Sequence, residues 1–173
     1  MVRRTLFSFV VMLLGTANLF AASREEEAKK YAGDLKSKDA KIRLTALKEL
    51  ARLGGAQRKL VEPHIDAIMS VLKDPDAQVR GEAARTVGLI DVPDKKAAIT
   101  KIAELLKDEK QENAREGQEM GLGELGALAT ESDLKATARN ALLEARKKTE
   151  SKREQKVIQA ALLLITGPKK KKD

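Results

Sequence analysis

Three glycines in the second half of the chain have the spacing of a dinucleotide-binding loop. Gly121, Gly123 and Gly126 spell G-x-G-x-x-G, and Glu144 follows about 20 residues later, where such sites place an acidic residue for the ribose. That chemistry needs a preceding β-strand and a parallel sheet, whereas the residues around these glycines have helical periodicity. We interpret the glycines as weak helix or as positions of close packing, and we predict no nucleotide cofactor.

The other residue types that carry out catalysis are scarce or are placed as surface residues. His64 is the single histidine and the chain has no cysteine, so the sequence predicts neither a zinc site nor a disulfide. No G-x-S-x-G sequence accompanies His64 to indicate a serine nucleophile. Carboxylates are numerous, but they stand four residues from lysines, as Glu25 does from Lys29, which is typical of solvated helix faces. We predict a protein that is not an enzyme and binds no metal.

Internal repetition is the strongest pattern in the chain. The segment DAKIRLTALKELARL starts at Asp39, and DAQVRGEAARTVGLI starts 37 residues later at Asp76. A weaker third copy aligns Arg115 with the arginine of the first two, and a fourth has Ile158 in its place. Each copy follows a segment with apolar residues at helical spacing, so the chain predicts helical hairpins that bury their faces by stacking. The predicted all-α hairpins cover residues 24–54, 60–91, 94–128 and 133–167.

Turn residues predict where these helices begin and end. Proline beside aspartate in 74–76 and 91–94 indicates helix starts with aspartate N-caps, and Gly54-Gly55 indicates the end of the first hairpin. In the fourth copy, the apolar residues Val157, Ala161 and Ile165 have the spacing of Val79, Ala83 and Val87.

The pattern D-x-x-[VI]-R-x-x-A-x-x-x-[LV] at Asp39 and Asp76 resembles the second helix of HEAT repeats. The resemblance covers roughly residues 25–167 and implies a right-handed α-solenoid whose second helices line a concave face. It also implies that the aspartate lies at the turn and that the arginine four residues later ties neighbouring repeats together. These roles carry over to Asp39 with Arg43 and to Asp76 with Arg80. The third copy has the arginine, Arg115, but has Gln111 in place of the aspartate.

One position read through the four second helices predicts a binding row. Lys48, Arg85, Met120 and Leu163 correspond in the alignment, so they should lie along the concave surface. The row changes from basic to apolar. Because the last helix is apolar almost all round, we expect a partner or a second copy of the chain to cover Leu163, unless Leu163 packs in the core.

Basic residues are concentrated at the C-terminal end. Residues 135–173 contain 12 basic and 4 acidic residues, a net charge of +8, whereas residues 23–133 have a net charge of −2. The tail 168–173 alone contributes four lysines. Such an end either keeps the chain soluble or binds a polyanion, such as anionic lipid or a cell-envelope polymer.

The first 23 residues have the order of an export signal. Arg3 and Arg4 precede an apolar run, and Ala21, Ala22 and Ser23 follow it. We therefore predict an exported protein, periplasmic or secreted. Removal of this segment leaves Tyr31 as the only aromatic residue, which disfavours nucleic-acid partners because base stacking uses aromatic side chains.

Two functions remain open from the sequence. The first is a non-catalytic scaffold that binds a protein or peptide on the concave face, as the family resemblance implies. The alternative is binding of a polyanion or envelope surface through the basic end, which a steep dependence of binding on salt would favour.

Overall fold

The computed structural model describes residues 23–167, and within this range the chain consists of helices and short connections without strands. This confirms the predicted all-α class. The predicted signal segment, apart from Ser23, and the tail 168–173 lie outside the described residues. The helices are α1 (23–34), α2 (Ala40–Ala56), α3 (Ile65–Ser70), α4 (Ala77–Leu89), α5 (Lys95–Asp108), α6 (Glu112–Leu128), α7 (Ser132–Lys148) and α8 (Lys152–Thr166).

The first helix of the second hairpin is broken into short pieces. Two 3₁₀ turns, Arg58–Leu60 and Glu62–His64, precede α3, and a third, Val71–Lys73, follows it. Pro63 lies within the second turn, where its missing N–H costs little because the first groups of a helix have no partner anyway. The broken helix still buries Leu60, Ile68 and Leu72 against the rest of the core.

Side-chain caps fix the starts of most second helices. Asp39 accepts a hydrogen bond from the backbone N–H of Lys41, and Asp76 accepts from the N–H groups of Gln78 and Val79. Ser151 caps α8 in the same manner. Each cap satisfies N–H groups that have no partner inside the helix, whereas Gln111 before α6 makes no side-chain cap hydrogen bond.

The second helices form one continuous layer. α2 packs on α4, α4 on α6, and α6 on α8, while α5 and α7 contact each other in the layer of first helices. One apolar core runs between the two layers. Its fully buried large side chains include Leu47, Leu50, Leu53, Ile99, Ile102, Leu122, Leu125, Leu142 and Ile158.

Glycines bring α4 and α6 into backbone contact. A Cβ atom added at Gly117 would lie 2.2 Å from the carbonyl oxygen of Gly81, and one at Gly121 would lie 2.3 Å from that of Ala84. Gly123 meets Ala161 of α8 in the same way, with the added Cβ 2.8 Å away. The glycines of the G-x-G-x-x-G sequence therefore lie inside α6, where their lack of a side chain permits close helix packing.

Two details of the sequence interpretation are wrong. α2 does not end at Gly54 but continues to Ala56, because Gly54 is buried against Ile90 and Val61 and needs no turn. The alignment of the fourth copy is also shifted by three residues. Counted from the cap at Ser151, buried Glu154, Ile158 and Leu162 have the offsets that Val79, Ala83 and Val87 have from Asp76, and Ala161 is also buried.

The register shift arises because the last helix is apolar around most of its circumference. Val157, Ala161 and Ile165 match the apolar pattern as well as the true set does, so the cap at Ser151 and packing against α6 decide between the two registers. No helix within residues 23–167 has the length and apolar character to cross a membrane.

Replacing Gly117 by alanine should destabilise the protein by roughly 1–3 kcal/mol, because the new methyl group would overlap the backbone of α4. Gly33 is the matched control, since a Cβ there has no atom within 4 Å and alanine should stabilise α1 slightly. Urea unfolding of the two variants measures the difference. An unchanged midpoint for Gly117→Ala would contradict the close contact.

Candidate functional site

Arg43 of α2 binds the second repeat through two hydrogen bonds to one carboxylate. Its Nε and Nη2 atoms donate to the two oxygens of Asp74, both at 2.7 Å. Nη1 donates to the carbonyl oxygens of Ser37 and Lys38 in the turn before α2. The guanidinium group thus holds its own turn and the turn of the next repeat together.

The same arrangement recurs twice along the chain, and we call the three pairs the arginine ladder. Arg80 donates from Nε and Nη2 to Glu109 at 2.7 and 2.9 Å, and Arg115 donates likewise to Glu154 at 2.7 and 2.8 Å. The carboxylate acceptors are at least nine-tenths buried. Each interface between second helices is therefore crossed by one pair of the arginine ladder.

The pairing changes the acidity of the ladder groups. Hydrogen bonding to Glu109 raises the pKa of Arg80, and Arg80 in turn holds the pKa of Glu109 below its usual value. Arg115 lowers the pKa of Glu154 by the same cause, helped by a hydrogen bond from Thr149. All three arginines stay charged at any physiological pH and act as structural cations.

Sequence reasoning identified the ladder arginines but not their acidic partners. Asp39 and Asp76 cap helices, whereas the carboxylates that receive Arg43 and Arg80 are Asp74 and Glu109. A signal was present, since Asp74 and Glu109 each stand two residues before the N-cap residue of the following second helix. Glu154 had no such signal because it lies inside α8.

A buried carboxyl group interrupts the third interface. Glu119 of α6 is fully buried, and neither its carboxyl oxygens nor the amide atoms of neighbouring Gln118 have a hydrogen-bond partner within the described part of the chain. The equivalent positions in α4 are Ala83 and Ala84. Burial raises the pKa of Glu119 to about 9, and the adjacent Glu154 adds to the shift. Glu119 is therefore protonated at neutral pH.

A groove of about 490 Å³ crosses the four second helices. Three residues of the predicted binding row, Lys48, Arg85 and Met120, lie along it on α2, α4 and α6. On α8, Val157 lines the groove. The rest of its side-chain lining consists of Leu44, Gln78, Glu82, Asn113 and Glu116, with backbone from Gly81 and Gly117.

Leu163 does not line this groove. With the corrected register, Ala160 corresponds to Lys48, Arg85 and Met120, because all four lie nine residues after their N-cap residue. The side chain of Leu163 is 45% exposed and lies outside the groove lining. The structure thus brings together three of the four predicted row residues and places the fourth elsewhere.

The charges in the groove differ from those in the ladder because they are available to a ligand. Lys48, Glu82 and Arg85 make no ion pair within residues 23–167, whereas every ladder arginine is paired. Glu116 also lines the groove, but it accepts from Arg153 of α8 at 2.7 Å and its other oxygen is buried. A ligand in the groove would meet unpaired groups of both signs beside apolar Leu44, Met120 and Val157.

Loss of the second ladder rung should destabilise the stack. Arg80→Ala leaves the buried Glu109 carboxylate without its partner, so we expect a loss of roughly 1–3 kcal/mol in the free energy of unfolding. Arg139→Ala is the matched control, because Arg139 is exposed on a helix and makes no ion pair in the described region. Equal urea midpoints for the two variants would show that the rung contributes nothing.

Glu119 should make the protein less stable as the pH rises from about 4.5 to about 9. The folded chain keeps this proton and the unfolded chain releases it, so folding takes up a proton in that window and the free energy of unfolding falls. Glu119→Gln should remove this dependence and stabilise the protein by roughly 1–3 kcal/mol at pH 8. The lowered pKa values of Glu109 and Glu154 act below that window.

Urea unfolding at pH 5 and pH 8 tests this expectation, with Glu124→Gln on the same helix as the control. Glu124 makes no ion pair within the described residues. A pH dependence that is the same in Glu119→Gln and in the unmodified chain would contradict the assignment of a proton to Glu119.

Comparison with known proteins supports the repeat interpretation. No curated protein matches the chain. A family model for HEAT repeats matches residues 32–123, which is more than half of the sequence and includes the first two rungs of the arginine ladder. Because the match covers the same stacked hairpins that the structure shows, the chain belongs to the HEAT-repeat family.

Proposed function

We propose that the chain is an exported, non-catalytic scaffold that binds a protein or peptide segment in the groove across its second helices. HEAT repeats generally mediate protein–protein interactions and generally serve as scaffolds without catalytic activity. The proposal assigns that activity to one surface of this chain. Its export component rests on the order of residues 1–23 in the sequence.

The observation that carries the proposal is the set of unpaired charges in the groove. Lys48, Glu82 and Arg85 project into it without ion-pair partners, and Lys48 and Arg85 are exposed. Charged groups that a structure leaves unpaired in a groove supply specificity when a partner brings the opposite charge.

The chemistry of the lining favours a polypeptide over a polyanion. Two cations and two carboxylates, Glu82 and Glu116, alternate across the helices, so an extended negative ligand would meet repulsion. A peptide with charges of both signs and an apolar side chain fits better. Met120 suits such a partner because its flexible thioether adapts to differently shaped apolar side chains.

A cross-linking experiment tests the groove directly. The chain has no cysteine, so Met120→Cys places a single thiol for a photoactivatable cross-linker in the groove, and Thr100→Cys places one on the outer side of α5. We expect partner proteins from a cell-envelope extract to cross-link from position 120 and not from position 100.

The charge-reversal variant Lys48→Glu/Arg85→Glu should abolish those cross-links without lowering the melting temperature, because both side chains are exposed and unpaired. The matched control is Lys59→Glu/Lys96→Glu, which reverses two exposed lysines outside the groove. Cross-links that persist in the groove variant, or that form equally from position 100, would refute binding at the groove.

A further inference from the structure

The last second helix has one side without a neighbour. Gly88 of α4 contacts Gly121 of α6, and Gly123 of α6 contacts Ala161 of α8. Leu163 lies twelve residues after its N-cap residue, as do Gly88 and Gly123, so it points to the place where a further second helix would pack. No described helix follows α8, and the Leu163 side chain is consequently left 45% exposed.

Basic and apolar residues share this uncovered side, which we call the terminal face. It consists of Lys152, Lys156, Ala160 and Leu163, whose spacing of four, four and three residues places them along one side of the helix. All four are exposed, and the adjacent Leu164 is also exposed. Neither lysine makes an ion pair within the described residues.

The surroundings of the terminal face are strongly positive. The last turn of α7 adds Arg146, Lys147 and Lys148, of which Lys147 pairs with Glu144 at 2.7 Å, and the sequence has four more lysines after Gly167. The single carboxylate on α8, Glu154, is buried and bound to Arg115. An occupant of this face must therefore be negatively charged and must also accept exposed leucines.

The ends of the ladder argue against a second copy of the chain as that occupant. Gln155 replaces the ladder arginine in α8, and Ser37 stands where the first repeat would need the acidic acceptor. Head-to-tail stacking would therefore lack the ion pair that crosses every internal interface. Tail-to-tail stacking would bring together two ends that each carry a net charge of +8 over residues 135–173.

We propose that the terminal face docks the protein on an anionic lipid surface. In this arrangement Lys152 and Lys156 lie at the phosphate groups, and Leu163 and Leu164 enter the boundary between headgroups and acyl chains. Basic residues gain attraction to such a surface from its negative potential, and exposed apolar residues beside them add burial. The groove reaches α8 at Val157, which is not part of the terminal face, and the substitutions below change no residue that lines the groove.

Co-sedimentation with vesicles tests the proposal. The full chain should bind vesicles of phosphatidylcholine containing about one third phosphatidylglycerol at least tenfold more tightly than pure phosphatidylcholine, and added salt should weaken this binding. The N-terminal apolar segment is common to every variant, so differences between variants report the terminal face. Leu163→Ser/Leu164→Ser and Lys152→Gln/Lys156→Gln should each reduce binding to anionic vesicles at least about threefold to tenfold.

Matched controls come from elsewhere on the chain. Leu89→Ser removes an equally exposed leucine of α4, and Lys36→Gln/Lys41→Gln removes two exposed lysines near the start of the array; both should leave vesicle binding unchanged within about twofold. A polarity-sensitive fluorophore on Leu163→Cys should shift to the blue with anionic vesicles, and the same label on Leu89→Cys should not.

The fluorophore measurement decides the result if the double leucine variant unfolds. Absence of binding to anionic vesicles would overturn the proposal. Binding to anionic vesicles that the leucine and lysine changes do not affect would also overturn it. So would an affinity for soluble heparin equal to that for anionic vesicles, with no spectral shift of the fluorophore at position 163. The last outcome would assign the terminal face to a soluble or envelope polyanion instead of a lipid surface.

Discussion

A guanidinium group that spans two turns is the interaction on which the stacking of this solenoid depends. In each rung, one nitrogen of the arginine holds the turn before its own helix, and two others hold a buried carboxylate of the next repeat. The planar group suits this task because it presents donors in a fixed fork, which a lysine cannot replace. The ladder sets the offset between repeats, and the apolar core then fills the space between the layers.

Close backbone contact between α4 and α6 also holds neighbouring repeats together. The glycines of α4 and α6 remove the side chains that would otherwise separate the helices, so the two backbones touch at Gly81 and Gly117. Loss of side chains also costs helix stability, because glycine is a poor helix former. The contact between neighbouring helices offsets that cost, and the resulting short spacing lets one groove reach side chains on four helices.

The interface between α6 and α8 contains both a ladder ion pair and a second buried carboxyl group. Arg115 binds Glu154 there as firmly as in the other rungs, but Glu119 brings a second carboxyl group into the same buried region. Two carboxylates cannot both ionise beside one arginine at low cost, so one keeps its proton. The final hairpin, which carries the basic terminal face, is thus attached through the interface whose stability depends most on pH.

The sequence was enough to predict the helical class, the repeat period and the arginines that join neighbouring repeats, because these follow from local periodicity and from a motif repeated along the chain. It also predicted Lys48, Arg85 and Met120 on one surface, because residues at the same distance from their N-cap residues lie in line when helices stack in register. It could not identify Asp74, Glu109 and Glu154 as the acceptors, because a side chain's partner in the next repeat depends on the distance between helices. It also misplaced Leu163, because an apolar helix fits several registers equally well, and only packing against α6 decided which residues were buried.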